Sequence, residues 1–155
     1  MMPPSFLRGI VTYCLVRMKD GTRTHFLNVD LDLVAKQDLA ELVRAFEPGA
    51  HALHCMPTEE GYMANLELST QPSEPEAAIH DFVGLIEKLA PEARGLWNAA
   101  SKRDFSIGVE AGSLPSNFEL ALTPAVLKLA AEVGARITFV VYVHGPASGA
   151  VEPIG

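Results

Sequence analysis

A chain of 155 residues that is 48% apolar can bury a core without disulfides or a structural metal, which excludes disorder over most of its length. Its formal net charge of −7 argues against nucleic acid, whose phosphates call for clustered Lys and Arg, so no nucleic-acid partner is expected. No stretch approaches the roughly 20 apolar residues of a membrane span, and the first residues lack the pattern of a signal peptide, so a cytoplasmic protein with no membrane partner is expected.

Residues 8–18 alternate as a strand does, with Ile10, Thr12, Cys14, Val16 and Met18 on one side. Asp20-Gly21 then suits the centre of a tight hairpin turn. Residues 23–35 carry the cleanest period of two: Leu27, Val29, Leu31, Leu33 and Ala35 face one way, Asn28, Asp30 and Asp32 the other. Asp38 and Glu41 have capping-box spacing ahead of a helix that buries Leu39, Leu42, Val43 and Phe46 and stops at Pro48-Gly49.

A second hairpin is expected from 50–57 and 61–69, turning at Thr58-Glu59-Glu60-Gly61, with Tyr62, Ala64, Leu66 and Leu68 on one face. A proline-punctuated connection over 71–76 leads into a helix striped by Ile79, Phe82, Val83, Ile86, Leu89 and Ala90. Pro91 breaks or kinks that helix, and Ala93, Leu96, Trp97 and Ala100 continue helical spacing beyond it. Strand alternation returns over 104–111. Thr123 and Pro124 then open a helix with apolar Val126, Leu127, Leu129, Ala130, Ala131 and Val133, closed by Gly134. The β-branched run Ile137–Val143 suits a buried strand.

The expected order is β-β-α-β-β-α-β-α-β, an α+β fold in which helices cover one face of a mainly antiparallel sheet. Residues 23–111 follow the split βαβ, or ferredoxin-like, plan, extended by the flanking elements. One domain over 1–144 is expected, with a loosely held tail over 145–155 rich in Gly, Pro and Ala.

Few residues suggest chemistry. Asn28, Asp30 and Asp32 form a polar row on one strand face; paired carboxylates can hold a cation or exchange protons, and a charge-guarded edge strand explains the row more simply. His51, His54 and Cys55 are the only cluster of metal-ligand types. On a straight strand His51 and Cys55 would share a face and His54 would oppose them, so no metal site is expected. Cys14 and Cys55 read as buried reduced thiols. Trp97, Tyr13, Tyr62 and Tyr142 could line a pocket, but Trp97 sits at core spacing. No phosphate-cradling glycine loop or activated nucleophile occurs, so neither a catalytic residue nor a cofactor is expected.

The run from Ile79 to Pro91, Phe105–Val109, Leu120–Gly134 and Ile137–Tyr142 together resemble an uncharacterised bacterial family, domain of unknown function 4279. Its members similarly end in a capped helix, a glycine and a short strand finishing near a Tyr. The N-terminal half departs from that pattern. The resemblance implies a bacterial protein and no established activity.

Charge is unevenly placed: residues 1–27 sum to +3, 28–95 to −9 and 96–155 to −1. The acidic middle would steer a basic protein partner, and the same excess also serves solubility. The leading expectation is therefore a non-enzymatic interaction protein, of accessory or immunity type. The alternative is a small-molecule-binding protein or enzyme with a pocket between sheet and helices, to which Asp30, Asp32 or His51 would contribute. High apolar content also suggests a homodimer formed through sheet edges.

Overall fold

The computed structural model describes residues 23–143. The expected strand over 8–18, its turn at Asp20-Gly21, Tyr13, Cys14 and the tail lie outside the described residues. Among those described, five strands and four helices follow one another: β1 (His25–Ala35), α1 (Ala40–Phe46), β2 (Ala50–Thr58), β3 (Gly61–Leu68), α2 (Pro75–Glu87), α3 (Pro91–Ala99), β4 (Lys102–Ala111), α4 (Pro124–Glu132) and β5 (Arg136–Val143). The class is α+β, and the strands form one mixed sheet in the order β2-β3-β1-β4-β5. Both β1 and β2 pair antiparallel with β3, so the antiparallel pairing expected of this half is present while the sheet as a whole is mixed.

The period of two in β1 places Val29, Leu31, Leu33 and Ala35 in the core and leaves Asn28, Asp30 and Asp32 half-buried on the opposite face. Leu27, at the start of the strand, is exposed. In β3 the same rule buries Ala64, Leu66 and Leu68, and register fixes the opposing pairs Asp30 with Glu67 and Asp32 with Asn65. Gly61 begins β3 with φ +149°, and a Cβ there would collide with the Ala35 carbonyl oxygen, so only glycine admits this close backbone approach.

The helices bury their apolar stripes in this same core. In α1 these are Leu42, Val43 and Phe46, with Leu39 just before; Asp38 Oδ1 accepts the Ala40 N–H at 2.9 Å, capping from one position further out than the helix boundary. In α2 they are Ala78, Ile79, Phe82, Val83 and Ile86, with Phe82 stacked on Phe105 of β4 at 5.9 Å between ring centroids. Pro91 ends continuity at Ala90, whose extended backbone makes α3 a separate helix rather than a kinked extension. Trp97 of α3 is fully buried; it meets Phe46 edge-on at 6.4 Å, and its indole N–H donates to the Val133 carbonyl at 2.8 Å.

Three expectations at the C-terminal end are corrected. Thr123 takes the N-cap position of α4, but its hydroxyl makes no capping bond; its backbone N–H instead donates to the Glu76 carboxylate. The buried stripe narrows to Val126, Ala130 and Val133, and Leu127 and Ala131 are exposed. Gly134, at φ +74°, ends the helix as its left-handed residue. The following β5 is the end strand of the sheet and largely exposed, not a buried one, because β-branched composition reports fit to a pleated surface and not position within a sheet.

Chain contacts divide into two compact units. The larger gathers 26–109 and 120–140 and contains the core described above. The smaller includes, among described residues, 23–25, 110–119 and 141–143. Within it the Thr24 N–H donates to the Leu114 carbonyl at 2.7 Å, the Gly112 N–H donates to Thr24 Oγ1 at 2.9 Å, and His25 Nε2 lies 3.1 Å from Glu110 Oε2.

Candidate functional site

Three strands of the larger unit bring the polar residues together. On β1, Asn28 Nδ2 donates to Asp30 Oδ1 at 2.8 Å; from β3, Asn65 Nδ2 donates to Asp32 Oδ1 at 2.6 Å. On β2, His51 Nε2 lies 2.9 Å from Glu67 Oε1, and Glu67 stands directly across from Asp30. The row expected from sequence is real, but it is not on an edge strand. Since β1 is the central strand of the five, edge protection no longer explains the carboxylates.

Burial pushes the Asp30 carboxyl above its ordinary range; the Asn65 amide opposes that shift, and the negative charges of Asp32 and Glu67 reinforce it. The site thus crowds acidic groups beside one another at a cost in electrostatic energy. The two Asn amides and His51 reduce that cost only in part.

Sequence alternation mislocated the histidines. The register of β2 on β3 slips between Ala52 and His54, opposing His51 to Glu67, His54 to Asn65 and Cys55 to Ala64. A bulge at Leu53 therefore turns His54 onto the polar face beside His51 and sends Cys55 to the other, the reverse of the straight-strand expectation. Cys55 is exposed rather than buried. Its thiol is raised above its ordinary value, by burial first and then by the charge of Asp38, which disfavours a reactive thiolate. Among the described residues no three His, Cys, Asp or Glu side chains form a group able to hold a metal ion.

A second polar cluster was not singled out from the sequence. Asp104 of β4, 1% exposed, accepts two hydrogen bonds at 2.8 Å from Arg136 and one at 3.1 Å from the Thr138 hydroxyl. The Arg136 hydrogen bonds hold its carboxyl below the ordinary carboxylate range against the opposing effect of burial, with help from Thr138 and Lys102. A charged residue one place before Phe105-Ser-Ile-Gly-Val109 was the available signal, but its partners lie 32 and 34 residues away. Every oxygen of this carboxylate is engaged internally, so the cluster ties β5 to β4 and offers nothing to a substrate.

A small hollow of about 10 Å³ is lined by Asn28 and Glu67 with Val29, Leu68, Gln71, Pro72 and Ala78, and two roomier ones lie elsewhere. One groove of about 300 Å³ is lined by Gly49, Leu68, Thr70, His80, Asp81, Gly84, Leu85 and Lys88, and another of about 360 Å³ by Ala35, Lys36, Gln37, Ala99 and Ser101. Neither contains Asp30, Asp32 or His51, which project from the sheet face opposite the helices. Trp97 and its neighbours form core, not a ligand pocket. Among the described residues no helix is long and apolar enough to cross a membrane.

Comparison with protein-family models, with curated proteins and with solved structures returned no match.

Proposed function

We infer that this chain is a non-enzymatic interaction protein that engages a basic protein segment through the polar face of its sheet, centred on Asn28, Asp30 and Asp32. The observation carrying this reading is the pair of carboxylates held in mid-sheet by Asn28 and Asn65, with Glu67 directly opposite Asp30. Such crowding opposes folding, and a surface that has only to be soluble has no need of it. A Lys- or Arg-rich segment would relieve the repulsion by pairing with it. Neither of the two grooves of about 300 and 360 Å³ is lined by Asp30 or Asp32, and the hollow at Asn28 and Glu67 holds only about 10 Å³, which favours a macromolecular surface over an enclosed substrate.

The strand order β2-β3-β1-β4 supports the split βαβ plan for this half, with β5 as its extension. Membership of the unknown-function family resembled by residues 79–143 remains part of this proposal, as does an accessory or immunity-type role. The alternative small-molecule reading, a pocket between sheet and helices to which Asp30, Asp32 or His51 contributes, has less support, since none of the three lines either of the roomier grooves.

Calorimetric titration of the full chain with a Lys/Arg-rich peptide tests the main reading. The Asp30→Asn/Asp32→Asn variant should lose binding, while Glu59→Gln/Glu60→Gln, which removes equal charge at the β2–β3 turn, should retain it. Equal loss in both variants would reduce the effect to bulk charge and sink the proposal.

A further inference from the structure

The groove of about 300 Å³ runs along α2, and every residue lining it belongs to the larger compact unit. Its α2 wall is one helical stripe, made by His80, Asp81, Gly84, Leu85 and Lys88. Gly49, Leu68 and Thr70 line the facing wall, which is held in place from within. The Ser69 N–H donates to the Gly49 carbonyl at 3.0 Å, and the Ser69 hydroxyl donates to the Pro48 carbonyl at 2.6 Å. Leu68 and Leu85 make the lining apolar. Among the described residues the side chains of Thr70, His80, Asp81 and Lys88 make no hydrogen bond or ion pair.

Gly84 is an independent sign that this hollow has a use. Inside a helix, glycine is less favourable than any residue but proline. Packing does not require it here: apart from the helix's own backbone, a Cβ at position 84 would meet no atom within 4 Å. What the glycine does is keep the floor of the groove open. An apolar hollow with a few unengaged polar groups around it is the ordinary form of a small-molecule site.

We propose that this groove binds a short zwitterion with an apolar body, an unblocked peptide of about three residues. Charge complementarity sets the choice. Asp81 and Lys88 make no ion pair with each other and stand about 10 Å apart along the helix axis. A lone anion would face the Asp81 carboxylate, and a lone cation would face the Lys88 ammonium. A ligand with an ammonium at one end and a carboxylate at the other satisfies both. An extended chain of three residues spans about 10 Å, whereas a single amino acid spans under about 4 Å and reaches only one of the two. Its apolar side chain lies over Gly84, between Leu68 and Leu85, and Thr70 and His80 offer hydrogen bonds to its peptide groups. The site shares no residue with the acidic row of the sheet, and it stands whether or not that row binds a basic segment.

Titration of the isotope-labelled full chain with alanyl-leucyl-alanine, followed by NMR, tests this. Saturable shifts should centre on the amides of Leu68, Thr70, Gly84 and Leu85 at millimolar peptide. Gly84→Leu, a better helix former with free space around it, should keep or raise the melting temperature and abolish those shifts. Asp81→Asn and Lys88→Gln, both at exposed positions, should each weaken binding about tenfold. N-acetylation of the peptide should weaken binding as much as Asp81→Asn does and cost nothing further in that variant, which reads the ligand's orientation. Leucine alone should bind about tenfold more weakly than the tripeptide. If Gly84→Leu loses its fold, the charge variants and the blocked peptide still decide. No saturable shift, as when another segment of the chain fills the groove, would overturn the proposal. So would shifts that a folded Gly84→Leu leaves intact, or a blocked peptide that binds as tightly as the free one.

Discussion

Replacing Asp30 by Asn separates a binding face from an ordinary solvated one. The substitution keeps shape, and the carbonyl oxygen of the introduced amide can still accept the 2.8 Å bond from Asn28. What it removes is a negative charge set directly across from Glu67 and two residues from Asp32. Like charges opposed across antiparallel strands cost roughly 0.2–1 kcal/mol, so Asp30→Asn should stabilise the protein by that amount at pH 7. For a chain of this size the melting temperature should rise by up to about 4 °C. The sign with pH follows from the raised carboxyl. The native state binds this proton more tightly than the unfolded chain, so the penalty is full above the raised value. As pH falls through that value toward the ordinary 3.8 the penalty fades, and below 3.8 it is gone. Thermal melts of wild type and variant at pH 7 and pH 3 decide the matter: the gain should be present at the first and absent at the second. Destabilisation at pH 7, or a gain that persists at pH 3, would refute the claim that a charge at this position, disfavoured first by burial and then by Asp32 and Glu67, opposes folding.

Asp104→Asn should act in the opposite direction, lowering the melting temperature by roughly 2–4 °C at pH 7 through loss of charge-assisted bonds from Arg136 to a buried acceptor. The Asp104 carboxyl is depressed, so its contribution is complete above the ordinary 3.8 and is lost as pH falls through the lower folded value; melts of the two proteins should converge only there. Trp97→Phe leaves the Val133 carbonyl without its indole donor and opens space beside Phe46, and chemical denaturation should show a loss of about 2–3 kcal/mol.

Local chemistry carried much of the architecture. The alternation over 27–35, the turn at Thr58–Gly61, the break at Pro91 and the left-handed Gly134 are written in residues that meet their causes within a few positions. The same holds for the polar row, because a period of two suffices to put Asn28, Asp30 and Asp32 on one face. The histidines were misplaced because a single inserted residue at Leu53 inverts the faces of everything after it, and no local pattern marks a bulge. Leu127 and β5 looked buried for a related reason: hydrophobicity states what a side chain favours, not whether any element arrives to cover it.

Sequence by itself therefore determined most of the described strands and helices and the apolar face of β1, β3 and α2, since these follow from backbone sterics and side-chain period. Only the tertiary structure decided that the acidic row runs down the central strand of the five described, that Asp104 receives Arg136 from a strand 32 residues on, and that β5 lies beside β4 with Phe139 and Val141 exposed. Those outcomes depend on strand order and register, which are settled by competition among distant segments for the same backbone hydrogen bonds and the same core. The proposed functions lie in that second category, on surfaces defined by which elements became neighbours.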